Sequence, residues 1–223
     1  MIALSRSHDR RLRQMYRSAG WPCQDTIEID LLAAGLLERI SQLNGSDCLR
    51  VTDAGVQRLS EALERNRGAL DQHESLVALV AERSVRDGRI AYCGLTLRSK
   101  PADEWIHLRP DVYAIRHTSV EAYVEPVIYE IKVKRSDLLA DLKKPEKRLG
   151  YIALASECYY VLAEKVGVAE DIPPECGVIF VKNGQLEQAR AAPKRPMTLP
   201  FQMWMALAKA DRFRTLDEPT PFL

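Results

Sequence analysis

Charge of one sign is missing from this sequence. Its 32 Lys plus Arg face 31 Asp plus Glu, a formal net charge of +1, so bulk electrostatics do not mark it for nucleic acid or membrane. Long apolar runs are missing too. None approaches the roughly 18 residues of a membrane helix, and the opening MIALSRSHDRRLRQ has no signal-peptide h-region. The five cysteines, Cys23, Cys48, Cys93, Cys158 and Cys176, are odd in number and form no CxxC pair, which argues against a zinc knuckle or a disulfide framework. His8, His107 and His117 lack ligand-like spacing, and His73-Glu74 does not open an HExxH motif because Val77 stands where the second His belongs. No GxSxG and no GxxxxGK[ST] occurs, which removes the serine-hydrolase and P-loop readings. Repeats and low-complexity tracts are absent. What is there, 223 residues of which 46% are hydrophobic, suffices for one large or two small domains. The expectation is a soluble, reduced, cytoplasmic protein.

The chain changes character near ERNRGALDQ. Before it, HDRRLRQMYRSA reads as one helix and DTIEIDLLAAGLLERI as one or two more. RISQL and CLRV flank NGSD, a hairpin signal. VTDAGVQRLSEALERN follows as a helix, with Thr52 as its cap and Val56, Leu59 and Leu63 on one face. After the change, HESLVALVAERSVRDG predicts a helix with Leu76, Val77, Val80 and Ala81 as its apolar stripe. RIAYCGLTLRS, WIHLRPDVYAIRHT and VEAYVEPVIYEIKVK read as strands. A helix from Ser136, strands at CYYVLA and GVIFV (the latter turned by Asn183-Gly184), and a terminal helix in PFQMWMALAKADRF complete an α/β pattern of a mixed sheet flanked by helices. The boundary is placed between residues 1–68 and 69–223.

In VIYEIKVKRSD, residues 127–137, apolar residues alternate with Glu130 and Lys132 on one face of a strand. Asp111, after Pro110, lies 19 positions before Glu130. If the two central strands pair as a hairpin with its tip near Glu121, Asp111 returns to the neighbourhood of Glu130 and Lys132. Two carboxylates suit a hard Mg²⁺-type cation, and a nearby Lys can orient a water or offset phosphate charge. Read singly, each residue has a plainer role: Glu130 and Lys132 as a surface ion pair worth about 0–1 kcal/mol, Asp111 as a turn residue, Glu74 as part of a solvated helix face.

Pro110-Asp111 with Glu130-Ile131-Lys132 resembles the PD-(D/E)XK nuclease superfamily. HESL, RPDV, EIKVKRSDLLADLKK and GVIFV look most like MmcB-type DNA-repair-related proteins, over roughly residues 70 to 183. The resemblance implies a restriction-endonuclease-like fold and Mg²⁺- or Mn²⁺-dependent hydrolysis of DNA phosphodiesters. In that scheme Asp111, Glu130 and Ile131 hold the ion, Lys132 stands at the water, and Glu74 supplies a further carboxylate. Asp137, Asp141 and Lys144 match the family-like run in supporting roles. The N-terminal part, through GLLERI and LRVTDAGVQRL, resembles a winged helix-turn-helix domain.

Lys132 to Arg148 contains seven Lys or Arg against three Asp or Glu, which suits phosphates or a solvated helix face equally. Arg6, Arg10, Arg11, Arg13 and Arg17 cluster at the N-terminus, whereas Asp25, Glu28, Asp30 and Glu38 make the next helices acidic. That acidity leaves DNA, a protein partner and a homodimer contact as alternatives for the winged-helix-like part. RNA stands beside DNA as substrate, because phosphodiester chemistry does not name the sugar. The competing function is a DNA-binding or regulatory protein whose nuclease fold does not cut.

Overall fold

The computed structural model describes residues 3–18, 20–41, 47–100 and 104–215. The chain divides into two compact units, 1–70 and 71–223. Each has its own apolar core: one centres on Leu12, Leu31, Leu36 and Leu49, the other on Val80, Tyr113, Ile128, Val161 and Val178. Among the described residues, no helix is long and apolar enough to cross a membrane.

The first unit contains α1 (Arg6–Arg17), α2 (Thr26–Ala33), the antiparallel pair β1 (Leu37–Ser41) and β2 (Asp47–Val51), and the first part of α3 (Asp53–Arg86). The expected NGSD turn lies largely outside the described residues. GLLERI, expected to continue a helix, instead turns at Gly35 (φ 69°) and enters β1. Thr52 does cap α3, accepting the Gly55 N–H at 3.2 Å. The apolar stripe differs from expectation: Leu59 and Ala62 are buried, but Val56 and Leu63 are exposed. The acidic residues of this unit are largely spent internally. Asp25 caps α2 through the Glu28 N–H at 2.9 Å and accepts from Arg11 at 2.8 Å. Glu28 is buried and takes the N–H groups of Cys23 and Gln24. Asp30 pairs with His8 at 3.0 Å, and Glu38 with Arg50 at 2.7 Å.

The second unit is mixed α/β, a six-stranded mixed sheet flanked by helices. Its strands are β3 (Arg89–Cys93), β6 (Val112–Arg116), β7 (Val127–Lys132), β8 (Glu157–Leu162), β9 (Gly177–Lys182) and β10 (Gln185–Arg190), in spatial order β10-β9-β8-β7-β6-β3. β7, β8 and β9 run parallel, and the other pairings are antiparallel. A separate antiparallel pair, β4 (Leu97–Ser99) with β5 (Ile106–Leu108), stands outside this sheet. Two segments expected as single strands are thus each split. Gly94, at φ 61°, breaks RIAYCGLTLRS, and Pro110, without an N–H for the ladder, lies in the break of WIHLRPDVYAIRHT between Leu108 and Val112. The helix expected from Ser136 becomes α4 (Arg135–Leu142) and α5 (Pro145–Ile152), because Pro145 cannot continue a helix but suits the first turn of a new one. Asn183 (φ 50°) and Gly184 (φ 72°) make the tight turn between β9 and β10. α6 (Phe201–Lys209) follows.

Candidate functional site

Strand register brings the motif together. β6 and β7 pair antiparallel with Val112 opposite Tyr129. One step further along that register sets Asp111 opposite Glu130. The link between them is a ten-residue connection, 117–126, with a 3₁₀ turn at Glu121–Tyr123. Asp111 Oδ2 accepts the Ile131 N–H at 2.7 Å, so the strand backbone itself fixes the carboxylate. On the other side, His73 Nε2 of α3 lies 3.3 Å from Asp111 Oδ1.

Glu130 and Lys132 share one face of β7 and are only 5% and 8% exposed. The surface ion pair considered from sequence is therefore a buried one, with Lys132 Nζ 2.6 Å from Glu130 Oε1. Helices α4 and α5 cover that face. Lys147 Nζ, from α5, lies 2.7 Å from Glu130 Oε1 and 2.6 Å from Asp141 Oδ1. Lys132 Nζ is 3.5 Å from the same Asp141 oxygen. Two tyrosines close the arrangement: Tyr151 OH donates to Glu130 Oε2 at 2.9 Å and Tyr160 OH to Asp141 Oδ2 at 2.8 Å. Two carboxylates and two ammonium groups thus form a charge-balanced quartet, its outer oxygens satisfied by phenols. Such a set is stable in a low-dielectric interior only when every member is paired.

The electrostatics separate Asp111 from this quartet. Burial, and next the negative charge of Glu130, push the Asp111 carboxyl above its ordinary range, against the Ile131 N–H, His73 and Lys132. Asp141 behaves oppositely. Burial opposes its ionisation, but Lys132, Lys147 and the Tyr160 hydroxyl outweigh it and hold the carboxyl below its usual range. Burial likewise works against the Lys147 charge, and Glu130 and Asp141 more than restore it, raising its pKa. Burial, reinforced by Glu130 for Tyr151 and by Asp141 for Tyr160, raises both phenols far above their normal range, so both keep the protons they donate.

The structure brings together Asp111, Glu130, Ile131 and Lys132. Glu74 is not drawn into the cluster. Its side chain is 67% exposed and pairs with His73 at 3.5 Å, so α3 reaches Asp111 through the histidine instead. Asp137 and Lys144 are exposed, whereas Asp141 is a full member of the quartet. The sequence resemblance gives Asp141 only a supporting role. Sequence reasoning missed Lys147, Tyr151, Tyr160 and His73. The spacing of Lys147 and Tyr151, four apart and hence on one helix face, was the available signal for two of them.

Among the described residues, no group of three or more His, Cys, Asp or Glu is gathered to hold a metal. The donor chemistry of a smaller set still suits a hard cation. Mg²⁺ binds through one or two carboxylates and keeps several waters, and Glu130 is close enough to Asp111 to disfavour the Asp111 charge. Both Glu130 oxygens are already contacted from within, Oε1 by two ammonium groups and Oε2 by the Tyr151 hydroxyl.

No protein-family model and no curated protein matches the chain. A solved structure, the SPO1766 protein of unknown function from Silicibacter pomeroyi, is 22% identical with a TM-score of 0.44, over 60% of this chain and 79% of that one. A likeness of that size carries no argument about activity.

Proposed function

We propose that residues 71–223 form a restriction-endonuclease-like, divalent-cation-dependent nuclease acting on DNA phosphodiesters, with the N-terminal unit as a winged-helix-like targeting domain. The observation that carries this reading is the convergence of Asp111, Glu130 and Lys132 at the adjoining ends of β6 and β7. Asp111 and Glu130 would hold the ion, with the Ile131 carbonyl as a third oxygen. When bound, the ion supplies an acidified water and neutralises phosphate charge. The chain's own residues do the rest. The Ile131 N–H and His73 orient Asp111. Tyr151 fixes the rotamer of Glu130. Lys132 places its side-chain nitrogen beside Glu130, where it can face developing anionic oxygen.

The test is cleavage by the purified protein with Mg²⁺ or Mn²⁺ on single-stranded, duplex, flapped and branched DNA and on RNA. Asp111→Asn, Glu130→Gln and Lys132→Met should each abolish it, and excess EDTA should stop it. Undiminished cleavage in EDTA, or in two of the three variants, overturns the assignment.

One observation favours a second reading, a nuclease fold that binds nucleic acid without cutting: the quartet already satisfies Glu130 from within. Calorimetry with Mn²⁺ separates the two. Binding that Asp111→Asn abolishes supports the nuclease, and no binding at millimolar Mn²⁺ supports the non-cutting protein.

A further inference from the structure

Beside the candidate site stands the β4–β5 pair, an element outside the six-stranded sheet whose two faces differ sharply. Leu97, Ser99 and Leu108 are buried, whereas Arg98 and His107, opposite each other in the register, are exposed. Trp105 precedes β5 with 51% of its surface open, and the Arg98 guanidinium lies over its ring at 5.2 Å. Lys100 and Arg109 are exposed at the two ends of the element. Over residues 97–109 the sequence sets the cations Arg98, Lys100 and Arg109 against Asp103 and Glu104. The segment keeps one net positive charge, with Arg98 itself against the open indole.

The pair is also held in place against the site. The Gly150 backbone of α5 packs so closely on β5 that a Cβ there would lie 2.7 Å from Leu108 Cδ1 and 2.8 Å from Ile106 Cδ1. The same helix sends Lys147 and Tyr151 to Glu130. At the root of the pair, Arg109 Nε donates to the Gly94 carbonyl at 3.0 Å, and the Gly94 N–H donates to the Asp111 carbonyl at 3.1 Å. Arg109 and Pro110 are all that separate β5 from Asp111.

We propose that the β4–β5 pair is a holding arm for single-stranded nucleic acid, with Trp105 as a base-stacking platform and Arg98 and Arg109 as phosphate contacts. It rests on the nuclease reading for its purpose but not for its binding. A duplex keeps its bases stacked on each other and has none to give an indole. A single strand offers a π-face at every nucleotide, and an Arg already stacked on the ring pre-orients both partners. The polyanion complements the cationic rim, and the short route from arm to Asp111 delivers the strand to the carboxylates.

The experiment measures equilibrium binding of labelled (dT)20, (rU)20 and a 20-base-pair DNA duplex to the full chain in EDTA, where no cleavage intrudes. Trp105→Ala should lose about tenfold in affinity for the single strands and less than about twofold for the duplex, while Trp105→Phe stays near wild type. Arg98→Ala combined with Arg109→Ala should reduce the salt slope on (dT)20 by about one to one and a half. The tighter of (dT)20 and (rU)20 names the sugar, and either order supports the arm. Folded Trp105→Ala that binds single strands as wild type does, or loses duplex equally, overturns the proposal. Failure of the nuclease reading would look different: the binding pattern would persist with no cleavage under any metal.

Discussion

Asp111 and Asp141 are carboxylates in one neighbourhood that respond oppositely to pH. Asp111 has a folded-state pKa above its unfolded value, through burial and Glu130. Between those two values the folded chain holds more protons than the unfolded one, so stability falls as pH rises through the window, and the full cost is present above it. Asp111→Asn should therefore raise the melting temperature at pH 7 while abolishing cleavage, and the gain should vanish in acid, where the carboxyl is protonated in both states. Melting curves of the two proteins against pH check this; an Asn variant less stable at pH 7 would contradict the sign. Asp141 is the mirror case. Its folded pKa is lowered, so its contribution is present above the usual carboxylate range and is lost as pH falls below it. Lys147 sits between the carboxylates as an internal cation. Lys147→Met should destabilise by on the order of 2 kcal/mol, below the roughly 3–5 kcal/mol of a fully buried broken pair because this side chain is 26% exposed. The same change should tighten Mn²⁺ binding by removing one of the two ammonium contacts on Glu130 Oε1, which calorimetry would read directly.

At the scale of elements, close backbone approaches decide what can vary. Gly177, at the start of β9, faces the ring of Tyr159 on β8, and a Cβ there would also lie 2.7 Å from the Ala192 nitrogen. Neither a ring locked by the Tyr129 stack, with centroids 5.7 Å apart, nor a backbone atom yields easily. Gly177→Ala should thus cost about 1–3 kcal/mol, visible in denaturant titration. At Gly150 the opposing atoms are the flexible ends of Ile106 and Leu108, and Gly150→Ala should cost less. The start of α4 is tied by a different device: Arg135 makes a two-pronged ion pair with Asp171 and holds its carboxyl down to about 2.

For the whole molecule, the separate cores predict separable folding. The buried residues of the sheet unit's core run from Leu76 to Leu207, and those of the N-terminal core end at Leu59. The polar stretch read as a boundary is continuous helix, since α3 runs from Asp53 to Arg86. The two compact units divide within it, at 70/71. A chain beginning at Gly68 keeps the last turns of α3 and all of the candidate site. It should unfold cooperatively and, if the nuclease reading holds, cut at high enzyme concentration. Loss of all activity in a folded, soluble fragment would place part of the chemistry in residues 1–67.

Local pattern determined much of this protein. Period-two alternation marked β7 and put Glu130 and Lys132 on one face; Pro145, Gly94 and the Asn183-Gly184 turn punctuate the chain through backbone restrictions that travel with the residue type. Hairpin arithmetic placed Asp111 beside Glu130, because antiparallel register depends only on counting from the turn. Tertiary structure alone decided the rest. Whether Glu130 and Lys132 met water or protein depended on α4 and α5 folding back over β7, a contact between segments no local period connects. That cover turned a plausible surface pair into a buried quartet, recruited Asp141, Lys147, Tyr151 and Tyr160, and left Glu74 in solvent while His73 reached the site. Burial is a property of the assembled fold, and with it go the shifted carboxyl of Asp111 and the charge balance on which the proposed chemistry rests.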